Sequence, residues 1–155
     1  MKRVVQRRPT GSLALAVAIA VALCAPPAGA LEFRSIAPKA AILYDAPSVK
    51  ANKLYLLGKG YPVELLVTLE GWYKVRDATG ALAWVEAKDL STARTLAVKV
   101  ARADVRAAPQ DDAPILFQAE QDVLLEFLEP AGAFAKVRHG EGETGYVRID
   151  QVWGL

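Results

Sequence analysis

The sequence predicts an all-β protein that consists of two tandem, small, five-stranded barrels behind an N-terminal leader. Three observations support this prediction. The first 30 residues have the order of an export signal, the remainder contains a long internal repeat, and turn residues divide each copy of the repeat into short apolar runs. Five short strands in ~60 residues are too few for an open sheet with two covered faces, so a closed barrel is expected.

Residues 1–30 have the composition of a secretory signal peptide. Four Lys or Arg residues lie within the first eight positions, an unbroken apolar run follows at 13–23, and Ala-Gly-Ala supplies small residues at the end. This order predicts cleavage between Ala30 and Leu31. The alternative is a membrane anchor, but the apolar run is well short of the ~20 residues that a spanning helix needs. We therefore expect a periplasmic or secreted protein with no membrane span after cleavage.

Removal of this leader changes the charge balance. The sequence carries 19 basic and 17 acidic residues, and four of the basic residues lie in the leader, which leaves 15 basic and 17 acidic residues and a net charge of −2. Because no basic stripe remains to neutralise phosphates, a nucleic-acid partner is not expected. Cys24 is the only cysteine and also lies in the leader, so the mature protein is expected to contain no disulfide and no thiolate ligand.

An internal repeat is the strongest pattern in the sequence. Residues 41–90 align with residues 103–152 at a constant offset of 62 and without a gap, and Lys-Val-Arg recurs at 74–76 and 136–138. A period of this length indicates a duplicated structural unit. The predicted signal peptide, first domain, polar linker and second domain are 1–30, 31–90, 91–96 and 97–155.

The repeat also decides between helix and strand at 119–129, which resembles the start of a helix because it is rich in Leu, Glu and Gln. Its partner in the first copy contains Gly58, Gly60 and Pro62, which would break a helix. Both stretches are therefore predicted to be a turn followed by a strand. The strands expected in the first copy are 39–44, 54–57, 62–69, 72–77 and 81–87, followed by a single helical turn.

Several short motifs resemble those of the bacterial SH3-type domain. The first copy contains "EGWYKVR" (70–76) and "AWV" (83–85), and the second contains "VRAAP" (105–109) and "TGYV" (144–147). The resemblance implies a five-stranded antiparallel SH3-like barrel whose role is binding, since relatives tether enzymes to peptidoglycan or bind peptides. Ala83 departs from the pattern, because the family has glycine at this position.

Strand alternation identifies candidate ligand-binding residues. In "WYKVRD", Val75 is expected to face the core, which places Trp72 on the outer face beside Lys74. The same alternation places Trp84 outside, and the ring at the mouth of the long loop could join the two tryptophans. With their counterparts in the second copy, where Arg106 takes the place of the loop tyrosine, the predicted ligand-binding residues are Tyr44, Trp72, Trp84, Phe134 and Tyr146.

Two interpretations of these rings remain open at this point. They could form a surface for a stacked sugar or an extended peptide, or they could pack over the barrel edge or between the barrels. The first interpretation predicts an exported binding module that recognises cell-wall (peptidoglycan) material or a peptide. The alternative function is a structural adaptor that docks another envelope protein.

The sequence offers little for catalysis. His139 is the only histidine and lies in a charged turn, where no second imidazole or thiolate could complete a metal or catalytic site. The Gly58-Lys-Gly60 segment is a turn rather than a phosphate-binding loop, which needs more glycines leading into a helix. We therefore predict no enzymatic activity, no metal and no cofactor.

Overall fold

The computed structural model describes residues 31–140 and 142–155. The predicted signal peptide, residues 1–30, lies outside the described residues, and so does its predicted cleavage after Ala30. Within the described part of the chain, no helix is both long and apolar enough to cross a bilayer.

Fourteen strands in the described residues form two seven-stranded antiparallel sheets. The first sheet comprises β1 Glu32–Ile36, β2 Ala40–Tyr44, β3 Lys53–Gly58, β4 Pro62–Leu69, β5 Trp72–Arg76, β6 Leu82–Glu86 and β7 Leu90–Ser91. The second comprises β8 Thr95–Val98, β9 Arg102–Arg106, β10 Ile115–Glu120, β11 Leu124–Ala131, β12 Phe134–Arg138, β13 Thr144–Arg148 and β14 Val152–Trp153. The predicted all-β fold class is confirmed.

The strand order of the first sheet is β3-β2-β6-β5-β4-β1-β7, and the second sheet repeats it as β10-β9-β13-β12-β11-β8-β14. The five strands expected from the sequence are β2 to β6. Each sheet has two further strands, because the segment before the repeat (β1) pairs with β4 and the chain returns after a single 3-10 turn to pair β7 with β1. The 3-10 turn, Ala87–Asp89, overlaps the helical turn expected there.

The offset of 62 holds for every strand, including its irregularities. The β4–β5 pairing shifts register between Leu65 and Val67, and the β11–β12 pairing shifts at the equivalent positions, Phe127 and Glu129. The stretch 119–129 is a turn followed by a strand, as predicted.

Each sheet encloses its own apolar core. Buried Leu, Val, Ile and Ala side chains from alternate strand positions form two separate clusters, and Leu43, Val75 and Val85 of the first cluster are replaced by Val105, Val137 and Val147 in the second. The strands also extend into the predicted linker, since Ser91 belongs to β7 and Thr95 begins β8. Only three residues therefore stand between the last strand of the first sheet and the first strand of the second.

Candidate ligand-binding site

Three of the predicted residues come together on the first barrel and are called here the aromatic cluster: Tyr44, Trp72 and Trp84. Strand β6 lies between β2 and β5, so that Trp84 pairs with Tyr44 on one side and with Lys74 on the other. Trp72 pairs with Glu86, two residues from Trp84, which makes the two tryptophans diagonal neighbours on one face. The Tyr44 and Trp72 rings meet edge to face, with centroids 5.4 Å apart.

The members of the aromatic cluster differ in exposure. Tyr44 is 4% exposed and forms the floor, whereas Trp72 and Trp84 are half-buried. Lys74, also half-buried, adds a cation beside the rings. An aromatic face with a polar neighbour can stack on an apolar or sugar surface while hydrogen bonds fix the orientation of the ligand.

The long loop between β2 and β3 begins directly after Tyr44 of the aromatic cluster. Its base is closed by Asp45, which accepts hydrogen bonds from the backbone N–H and the side-chain amide of Asn52, at 3.0 and 2.7 Å. Its tip carries Val49, whose side chain is 60% exposed. Glu86, across from Trp72, is paired with Lys88 at 2.8 Å.

The equivalent position in the second barrel is covered. Phe134, the counterpart of Trp72, is only 5% exposed, and the Arg148 guanidinium lies over its ring at 5.8 Å. Arg148 Nη1 donates to Asp111 at the tip of the second long loop, at 2.8 Å, and its Nε donates to Asp150 at 3.2 Å. These two carboxylates raise the pKa of Arg148, with the Asp150 hydrogen bond as the larger cause. We call this arrangement the arginine clip.

The remaining counterparts in the second barrel are Arg106 and Tyr146, and the first of them is already hydrogen-bonded. Arg106 replaces Tyr44 and donates to the Ala113 carbonyl at 2.9 Å and to Asp104 at 3.0 Å. Tyr146 replaces Trp84 and is half-buried between Arg106 and Lys136 of the neighbouring strands. The five predicted residues are thus placed as three neighbours in one barrel and two in the other.

The structure also contains a polar cluster that sequence reasoning missed. Asp77, 5% exposed, accepts hydrogen bonds from the Tyr55 hydroxyl at 3.0 Å, from the Thr79 hydroxyl at 2.6 Å and from the backbone N–H groups of Thr79 and Ala81. Burial acts to raise the pKa of Asp77, but these hydrogen bonds outweigh it, so the pKa lies below its usual value. The Asp-Ala-Thr-Gly sequence of this turn was the available signal, since Asp commonly bonds its own turn backbone.

The second barrel lacks this cluster. His139 replaces Asp77 and is exposed, and Phe117 replaces Tyr55, with the two rings tilted and their centroids 5.9 Å apart. A cavity of about 570 Å³ lies here, lined in part by Phe117, Val123, His139 and Glu143. In the described residues, no group of three His, Cys, Asp or Glu side chains is arranged to hold a metal ion.

Comparison with solved structures finds proteins that contain a similar region. NlpC2 and NlpC1 from Trichomonas vaginalis match 81% of this chain with 17% and 18% identity, each at a TM-score of 0.38. An NlpC/P60 family protein from Bacillus cereus ATCC 10987 matches 80% of it with 16% identity at a TM-score of 0.37. The chain spans about half the length of these structures, namely 49%, 46% and 56%. No curated protein sequence matches the chain.

The comparison with protein families gives a stronger match than the comparison with solved structures. The pattern of the bacterial SH3 domain matches the sequence twice, over residues 37–92 and 99–154, which together make up more than half of the chain. Domains of this family are binding modules, commonly for the cell wall or for proteins, and occur in extracellular or cell-envelope proteins. The duplicated sheets, the two separate cores and these two matches lead to one conclusion: the chain belongs to the bacterial SH3 domain family and carries two tandem copies of the domain.

Proposed function

We propose that the protein is exported, is cleaved after Ala30, and binds cell-wall peptidoglycan through the aromatic cluster of its first barrel, without catalysing a reaction. The observation that carries this proposal is the pair of half-buried tryptophans, Trp72 and Trp84, packed around the buried Tyr44 ring. Indole faces held on paired strands are rigid, so stacking on a sugar ring or a peptide costs little conformational entropy. The leader composition and the family of the two domains support export.

The comparison of the two copies supports the assignment to the first barrel. The arginine clip covers Phe134 in the second barrel, whereas no side chain of the first long loop is bonded across Trp72 in the described residues. A ligand would have to displace two charge-assisted hydrogen bonds to reach Phe134, but it meets Trp72 directly.

The test is co-sedimentation of the purified protein with isolated peptidoglycan sacculi. Trp84→Ala is expected to weaken retention at least tenfold, since removal of an aromatic anchor costs about 2 kcal/mol or more. Tyr146→Ala, at the equivalent position of the second barrel, is the matched control and should leave retention unchanged. An unaltered Tm in both variants shows that each remains folded.

Other outcomes separate the alternatives. Equal retention of the Trp84→Ala and Tyr146→Ala variants would contradict binding by the first barrel. No retention of the unsubstituted protein on sacculi would contradict the cell-wall proposal and leave the adaptor role, in which the same aromatic cluster docks an envelope protein.

A further inference from the structure

A cleft of about 400 Å³ lies at the junction of the two barrels. Its walls come from both barrels and from the segment between them, and include Ser35, Lys59, Arg94, Thr95, Glu126 and Phe127. We propose that this cleft binds the carboxylate of a peptide, with Arg94 as the anchoring cation. The proposal is independent of the aromatic cluster, which lies on the first barrel alone.

The walls of the cleft are held in place by contacts between the barrels. The Ser35 and Thr95 hydroxyls are hydrogen-bonded at 2.7 Å, and Thr95 donates to the Gly60 carbonyl. Nearby, the Phe33 and Trp153 rings meet edge to face, with centroids 5.2 Å apart. A site with walls from two domains is well formed only when their relative position is fixed, and these contacts fix it.

Arg94 is a half-buried cation without a carboxylate partner. Its guanidinium lies between the Phe33 and Phe127 rings, at 5.8 and 5.3 Å, and donates to the Gly154 carbonyl at 2.7 Å. No carboxylate among the described residues lies within 4.0 Å of it, and its Nε–H is buried with no hydrogen-bond acceptor. Burial lowers the pKa of Arg94, as expected for a charge that has lost water and gained only one neutral acceptor. A bound anion would compensate this charge.

The other lining residues select the kind of anion. Glu126 lies in the wall of the cleft and is paired with Arg138. The Nε and Nη2 of Arg138 donate to the Glu126 carboxylate at 2.9 and 2.6 Å. A dianionic phosphate would be repelled by this carboxylate more strongly than a monoanion. A carboxylate also matches the planar fork of a guanidinium, and the Phe127 ring and nearby alanines suit a small apolar side chain next to it. The end of a peptide with a small final residue fits these requirements.

The experiment is an NMR titration of the ¹⁵N-labelled protein. N-acetyl-alanyl-alanine, which has a free carboxylate, is compared with its C-terminal amide and with inorganic phosphate. We expect the free acid to shift the Arg94 Nε–H signal and the backbone amides of Thr95 and Phe127 in a saturable manner, with at least tenfold higher affinity than the amide or phosphate. Absence of shifts with the acid, equal affinity for acid and amide, or tighter binding of phosphate than of the acid would each overturn the proposal.

Variants separate binding from the role of Arg94 at the junction. Arg94→Gln should abolish the response, whereas Arg94→Lys should retain part of it, since the charge remains but the fork is lost. Lys59→Gln removes an exposed cation of the cleft that makes none of the junction contacts, so it should weaken binding about twofold to threefold. Lys50→Gln, outside the cleft, is the control. Full affinity in both Arg94→Gln and Lys59→Gln would contradict the proposal even if Arg94→Gln loosens the junction.

Discussion

The two barrels have the same backbone and differ in the side chains that cover it. Strands and register shifts recur at the offset of 62, and one cross-strand ion pair, Glu64–Arg76, is repeated as Glu126–Arg138. The differences that change the candidate sites lie around the aromatic cluster and around the Asp77 turn. A duplicated fold can thus keep its strand register while each copy changes its surface, because the register is set mainly by the alternation of buried apolar residues.

The largest expected difference in stability between the two barrels comes from the Asp77 turn. Asp77→Ala would leave the Tyr55 hydroxyl and two backbone N–H groups without their acceptor in a buried place. We expect the first barrel to lose about 2–4 kcal/mol of stability, because each unpaired buried group costs about 1–3 kcal/mol and some will reach water. Amide hydrogen exchange measures this barrel by barrel, with Val75 and Val137 as the reporters of the two cores.

The matched control is His139→Ala at the equivalent position, where an exposed side chain is removed and the stability of the second barrel should change by no more than about 0.5 kcal/mol.

The pH dependence of the stability of the first barrel gives a second measurement. Since the pKa of Asp77 is lowered in the folded state, its stabilising effect is present at neutral pH and is lost as the pH falls through that pKa. Exchange at Val75 in the Asp77→Ala variant should therefore lack this acid-dependent component. Equal protection of Val75 in variant and parent at neutral pH would contradict the prediction.

More of the fold than of the candidate site could be predicted from the sequence. β2 to β6 follow from apolar runs bounded by Gly and Pro, and the repeat corrected the helical propensity of 119–129. β1 and β7 were missed because the first precedes the repeat and the second is only two residues long. A period of two predicted that Trp72 and Trp84 share one face, but it did not predict that Tyr44 and Phe134 would be buried, at 4% and 5% exposure. The arginine clip could not be predicted in the same way, because Asp111 and Arg148 are 37 residues apart and meet only through the conformation of the long loop.

A second comparison concerns Ala83 and Gly145, which occupy equivalent positions in β6 and β13. Ala83 is accommodated in the first core at 2% exposure, but a Cβ on Gly145 would lie 2.5 Å from Val105 Cγ1 and 2.9 Å from the Arg106 carbonyl oxygen. Gly145→Ala should therefore destabilise the second barrel by about 1–3 kcal/mol, as overpacking does. Hydrogen exchange at Val137 should report the loss.

The reverse change, Ala83→Gly, creates no overlap and should cost only about 0.5–1 kcal/mol, the ordinary penalty of glycine in a strand. If Gly145→Ala costs no more stability than Ala83→Gly, then β13 lies as far from β9 in solution as β6 lies from β2. In that case the absence of the family glycine from the first copy has no structural consequence.

The arginine clip should have the smallest effect on stability and a measurable effect on access. Asp111→Ala removes an exposed ion pair, so the second barrel should change by at most about 0.5–1 kcal/mol. The Arg148 Nη1 protons, which lose their acceptor, should exchange faster, and the ring signals of Phe134 should shift as the guanidinium leaves its face. In the first barrel, Val49→Asp combined with Glu86→Arg and Lys88→Asp would introduce the equivalent clip over Trp72 and should reduce retention on sacculi to that of Trp84→Ala. Undiminished retention of this triple variant, with Trp72 signals showing that the clip has formed, would mean that the ligand does not approach across Trp72.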